Sequence, residues 1–119
     1  MKIEMAINRG VLVVRVSGQL DVHTSPQFSA QIDKAWLESG AKNLLVNFCD
    51  TTFVDSSGLG AIMGRFKKVK ACGGKMVCCD LQPQVAQVLN FAGIYRLCGI
   101  ERTESEAMEK LLGNRNRKY

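Results

Sequence analysis

Apolar positions along this chain recur with two periods, and the periods alternate. Ile3, Met5 and Ile7 alternate with polar residues, Asn8-Arg9-Gly10 supplies a turn, and Val11-Leu12-Val13-Val14-Arg15-Val16 is nearly continuous. That pattern predicts a hairpin whose second strand is covered on both faces. Gly18 to Thr24 reads as a loop. Thr24 and Gln27 have the spacing of a capping box, and Pro26 fits a first helical turn. Phe28, Ile32, Ala35 and Trp36 form the buried stripe of that helix, which Gly40 stops. Leu44-Leu45-Val46-Asn47-Phe48 reads as a short buried strand bounded by an Asp50-Thr51-Thr52 loop. Leu59, Ile62, Met63, Phe66 and Val69 then lie on one face of a second helix, ended by Gly73-Gly74. Lys75 to Cys79 is the next strand, and Pro83 opens a third helix with Val85, Val88, Leu89 and Ala92 inward and Gly93 at its end. Tyr95 to Ile100 reads as a weaker, short strand. Thr103 and Glu106 start a last helix with Ala107, Met108, Leu111 and Leu112 inward. The order β-β-α-β-α-β-α-β-α predicts one α/β domain over residues 1–113. Its small mixed sheet has the first strand antiparallel at one edge and the later strands parallel, packed with four helices.

Charge changes this picture little. The formal net charge is +5, but Arg115, Arg117 and Lys118 lie in the polar end 114–119, which is expected to be a basic, disordered tail. Without them 13 basic residues face 11 acidic ones, or +2. Arg65, Lys67, Lys68 and Lys70 occupy polar positions between the apolar ones of the second helix and read as a solvated face. No aromatic residues interleave with them as a stacking platform, so a nucleic-acid surface is only weakly supported. No apolar run approaches the ~18 residues of a membrane helix, and the start lacks a signal-peptide core. The five cysteines form no C-x-x-C pair and read as structural, with Cys78 and Cys79 inside an apolar strand. A small allowance for redox function falls on Cys72 in its loop. The expectation is a cytoplasmic protein in a reducing compartment.

The run Phe53-Val54-Asp55-Ser56-Ser57-Gly58-Leu59-Gly60 carries the candidate chemistry. It sets two hydroxyls at the start of a helix, beside unpaired N–H groups and the positive end of the helix dipole. A serine exposed there is a good place to attach or hold a phosphate. Ordinary N-capping explains one of Asp55, Ser56 and Ser57 but does not need all three. Nor does it need Gly58 and Gly60 in the first turn, where each Gly costs about 1 kcal/mol relative to Ala. Two such costs suggest that something approaches the backbone closely.

The parts of an enzyme are mostly missing. His23 is the only histidine, Val54 stands where a nucleophile elbow needs Gly, and the Gly58 to Gly64 run is one residue too long for G-x-G-x-x-G. Asp21, Asp50 and Asp55 could meet at the strand ends, but three loop carboxylates without histidine specify no metal.

On these residues the chain resembles the anti-sigma factor antagonists of the sulfate transporter and anti-sigma factor antagonist (STAS) family, and within it the sporulation branch. The resemblance rests on Gly18-Gln19-Leu20-Asp21-Val22-His23-Thr24, on Asp55 to Gly60, on Gly64-Arg65-Phe66-Lys67 and on Gly73 to Val77. Gln19 stands where the family often has Glu. The resemblance implies a binding module with no active site or cofactor of its own. It implies that Ser56 is phosphorylated by a partner that is both serine kinase, with bound nucleotide, and anti-sigma factor. The unphosphorylated form would hold that kinase and free the sigma factor; the phosphorylated form would let go, and a serine phosphatase would reset it. The free protein would be a monomer. The partner surface is expected around Asp21, His23 and Thr24 and around Asp55, Ser56, Ser57, Gly58, Leu59 and Gly60, because both loops follow strands that should be parallel neighbours. Alternatives are a general-stress antagonist or another STAS regulatory module, and, more remotely, a small redox or nucleotide-handling enzyme.

Overall fold

The computed structural model describes residues 1–113; the basic tail 114–119 lies outside them. The elements are β1 (Lys2–Asn8), β2 (Val11–Leu20), α1 (Ser25–Ser39), β3 (Asn43–Val54), α2 (Ser56–Ala71), β4 (Met76–Cys79), α3 (Pro83–Phe91), a 3₁₀ turn (Ile94–Arg96), β5 (Gly99–Glu101) and α4 (Glu104–Leu111). They form one five-stranded sheet in the order β1-β2-β3-β4-β5, with β1 antiparallel to β2 and every later pair parallel. The hairpin turn is made by Arg9 and Gly10, both at positive φ, as a tight two-residue turn requires.

The strand order steps always in one direction, so right-handed crossovers set α1, α2 and α3 on the same face. The even positions of the central strands, Leu12, Val14, Leu44, Val46, Phe48 and Cys78, join the buried faces of those helices in the main core. The odd positions, Val11, Val13, Leu45, Val77 and Cys79, meet Ala107 and Leu111 of α4 on the opposite face. This is why residues 11 to 14 read as a continuous apolar run: both faces are covered.

Several expectations need correction. Gly18 to Leu20 is not loop, and β3 does not stop at Phe48; the two strands run on together to Leu20 and Val54. Two register shifts, between Arg15 and Ser17 and between Gly18 and Gln19, let β3 carry extra residues without losing the ladder. Thr51 is fully buried in this extension, its hydroxyl donating to the Val16 carbonyl at 2.8 Å. A polar run that looked like a turn is thus a bulged strand with its one inward hydroxyl satisfied. Tyr95 to Ile100 is a 3₁₀ turn followed by three residues of strand. Ala92 and Leu112 are exposed, beyond the last inward turn of their helices. Arg65 is not on a solvated face: it is buried at the seam of α1 and α2, with Nε 3.0 Å from Asp33 Oδ1. Asp33 also takes Lys68 Nζ at 2.9 Å, so a carboxylate compensates the cation where two helices touch. The Thr24–Gln27 capping box does not form, since Thr24 is already in the helical region and its hydroxyl turns back to the loop before it. The Thr103 cap does form, accepting from Glu106 N–H at 3.1 Å.

At the start of α4, Glu104 takes two bonds from Arg15, at 3.0 and 2.8 Å, and one from Asn47 at 3.0 Å. These bonds pin α4 to β2 and β3. The Arg15 hydrogen bond holds the Glu104 carboxyl below its ordinary 4.5, against burial, with Asn47 adding to the effect. A carboxyl depressed in the fold stabilises fully above its unfolded value and loses that contribution as pH falls through the folded one. Glu104→Gln should therefore cost about 1 kcal/mol at pH 7, a size suited to a half-exposed pair. Denaturant titrations should show the gap between wild type and variant closing below about pH 4.5. A gap independent of pH would mean the ion pair contributes nothing.

Candidate functional site

Two loops meet at the C-terminal ends of β2 and β3, and Asp55 joins them. Its backbone is extended and its N–H donates to the Leu20 carbonyl at 3.2 Å, the last bond of the β2–β3 ladder. Its carboxylate then divides. Oδ1 accepts the Gly58 N–H at 2.9 Å and caps α2, while Oδ2 accepts the Val22 N–H at 3.2 Å from the neighbouring loop. One side chain thus fixes the start of the helix and the chain leaving β2.

The 21–24 turn is organised by a second carboxylate. Asp21 Oδ1 accepts N–H bonds from His23 at 2.9 Å and Thr24 at 3.1 Å. The Thr24 hydroxyl accepts from Asp21 N–H at 2.9 Å and donates to the Gln19 carbonyl at 2.8 Å. Desolvation alone would raise the Asp21 carboxyl, but the Thr24 and His23 amides outweigh it and hold the group below its ordinary value. Asp21 and Thr24 therefore shape this loop, while His23 projects from it, exposed.

Because Asp55 supplies the cap, the serines are not needed for it. Ser56 is the first residue of α2, exposed, and its hydroxyl has no hydrogen-bond partner among the described residues; Ser57 is half-buried. The two glycines separate. A Cβ on Gly58 would collide with the Leu20 carbonyl oxygen and come within 2.9 Å of Val54 Cγ1. The close approach at Gly58 is thus made by the fold itself, which seats α2 hard against the end of β2. At Gly60 a Cβ would meet nothing within 4 Å, so that position is open toward solvent. Leu59 between them is partly buried against the main core.

The structure adds two residues that the sequence reading passed over. Val22 is 58% exposed and Phe53 48%, on the two elements that carry Asp21 and Asp55. Phe53 stands opposite Gln19 just past the second register shift, where strict alternation no longer tells which face a side chain takes. Asp21, Asp50 and Asp55 do not gather into a group able to hold a metal. No helix among the described residues is long and apolar enough to cross a membrane.

Comparison with known proteins places the fold in a family. The STAS domain family matches residues 2–107. The anti-sigma F factor antagonist of Paenibacillus polymyxa is 39% identical, over 93% of this chain and 95% of that protein. The solved structure of the anti-sigma factor antagonist SpoIIAA in its unphosphorylated form superposes with a TM-score of 0.80 at 29% identity, covering 94% of this chain and 97% of that one. The phosphorylated form of the Bacillus cell fate determinant SpoIIAA gives 0.71 at 28% identity, covering 92% and 98%. The chain belongs to the STAS domain family, among the anti-sigma factor antagonists.

Proposed function

We propose that this protein is a phosphorylation-switched binding module for an anti-sigma factor that is also a serine kinase. With Ser56 unmodified, the start of α2 and the Asp21–Thr24 turn dock on the kinase with its nucleotide and free the sigma factor. Phosphate on Ser56 ends the contact, and a serine phosphatase restores it. The observation that carries this reading is the division of labour at the helix start: Asp55 caps, leaving the Ser56 hydroxyl exposed and without a hydrogen-bond partner among the described residues. The names of its relatives support it, as does the existence of SpoIIAA in both phosphorylation states. The identity to an anti-sigma F factor antagonist favours the sporulation branch over the general-stress one.

The energetics suit a switch without rearrangement. A phosphoserine adds about −1.5 to −2 charge and three acceptor oxygens. In the free protein these face water beside the positive end of α2, so the fold accommodates them. Against a docked partner the same group must be desolvated, at several kcal/mol if unpaired, and each 1.4 kcal/mol is tenfold in affinity. Val22 and Phe53 supply the apolar anchors that a docking face of charged and polar residues otherwise lacks. His23 and Gly60 lie on the same exposed end.

Incubation with the kinase and ATP should add one phosphate, read by intact mass, abolished by Ser56→Ala and retained in Ser57→Ala. Phosphate mainly on Ser57 would contradict the assignment. The glycines give an independent test. Gly58→Ala should destabilise by about 1–3 kcal/mol, because the collision is with backbone. Gly60→Ala should stabilise by about 1 kcal/mol and yet weaken kinase binding by about tenfold, through the methyl placed on the docking face. Thermal denaturation and calorimetry of the Gly60 variant separate the two effects; unchanged affinity would move the partner surface elsewhere.

A further inference from the structure

Two of the five thiols are placed for chemistry that the binding function does not use. Cys78 lies in β4, opposite Ile100, and Cys98 immediately precedes β5, two residues before that partner, so both thiols enter the same core. Their sulfurs are 4.0 Å apart. A disulfide needs about 2.05 Å, so the gap to close is about 2 Å. Cys49 and Cys72 are exposed and form no such contact, and Cys79 sits on the opposite face of the sheet under α4.

The two members of the pair have different surroundings. Cys78 is sealed in the main core with no exposure. Cys98 forms part of the wall of a cavity of about 320 Å³, beside Phe66, Met76 and Leu97 and the lysines Lys70, Lys75 and Lys110. This space takes water-sized molecules; no carboxylate among the described residues lines it, and the Lys110 ammonium is paired with Glu101 Oε2 at 3.6 Å. A thiol that borders a space open to small solutes is the one peroxide can reach; one sealed among apolar groups is not. The sulfur contact sharpens the difference. Contact with the Cys78 sulfur lowers the Cys98 thiol against the opposing effect of burial, and the same contact together with burial pushes Cys78 up.

We propose that Cys98 and Cys78 are an oxidisable pair, Cys98 reacting with hydrogen peroxide that enters the cavity and Cys78 resolving it to an intramolecular disulfide. In the first step the Cys98 sulfur attacks one peroxide oxygen and the O–O bond breaks; the departing hydroxide takes up the Cys98 thiol proton and leaves as water, giving a sulfenic acid. In the second the Cys78 sulfur attacks that of Cys98; the S–S bond forms and the S–O bond breaks, and the Cys78 proton leaves with the oxygen as water. Two electrons pass from the thiols to one peroxide. The bond would tie the β4 core to the short edge strand β5 and enclose α3 in a covalent loop.

The test uses a Cys49→Ser/Cys72→Ser protein, which keeps the pair and Cys79 and removes exposed competitors. Peroxide, at the dose that oxidises Cys49 in the wild type, should lower its intact mass by two hydrogens. Peptide mapping should place the link between Cys78 and Cys98, and a dithiol should reverse it and with it a rise in melting temperature. Adding Cys78→Ala should leave Cys98 as a sulfenic acid trapped by dimedone. Adding Cys98→Ala instead should abolish both products. No mass loss in the parent, a link through Cys79, or a Cys98 that dimedone never traps would overturn the proposal.

Discussion

The two hydrogen bonds accepted by the Asp55 carboxylate are the constraint on which the rest of the site depends. A helix start leaves N–H groups without partners, and a strand end leaves the following loop without a guide. Asp55 resolves both, with one oxygen on Gly58 of α2 and the other on Val22 of the neighbouring loop. The arrangement is possible only because β2 and β3 run parallel and end together, at Leu20 opposite Val54. It also needs Gly58, since any side chain there would push α2 away from the Leu20 carbonyl. Sheet topology, one carboxylate and one glycine together release Ser56 from structural duty.

The core explains why this end can be rigid. Buried Phe28, Ile32, Ile62 and Val69 lock α1 and α2 to the even face of the sheet, and the Arg65–Asp33–Lys68 cluster sits on their seam. The bulged second half of β3 carries Val54 into the same core, with Thr51 bonded to Val16. A modification at Ser56 therefore meets a platform braced from two sides. Its effect is expected to fall on what docks there rather than on the fold.

Much of this was legible in the sequence because it rests on periodicity. The helical stripes through Phe28 and Ile32 and through Ile62 and Val69, and the doubly covered run Val11–Val14, report burial directly. The adjacency of the two loops followed from strand order alone, and the helix start was marked by Asp55 with the glycines after it. What stayed hidden was set by tertiary partners. Asp50 to Thr52 looked like a loop because only the paired strand shows that their backbone is laddered. Arg65 looked solvated because Asp33 lies on another helix. Thr24 looked like a cap because its rotation toward Gln19 depends on the Asp21 turn. The exposure of Val22 and Phe53 and the meeting of Cys78 with Cys98 likewise have no local signature.

The central claim is that the switch is local: a charge on Ser56 changes what the helix start can bind and leaves the Asp55 junction and the sheet in place. Backbone amide chemical shifts of the protein before and after enzymatic phosphorylation test it most directly. The account predicts perturbations confined to residues 20–24 and 52–60, with the Gly58 and Val22 amides still hydrogen-bonded and slow to exchange. Shifts spreading through β4, β5 and α4, or loss of protection at Gly58 and Val22, would show that phosphate remodels the fold and would contradict it.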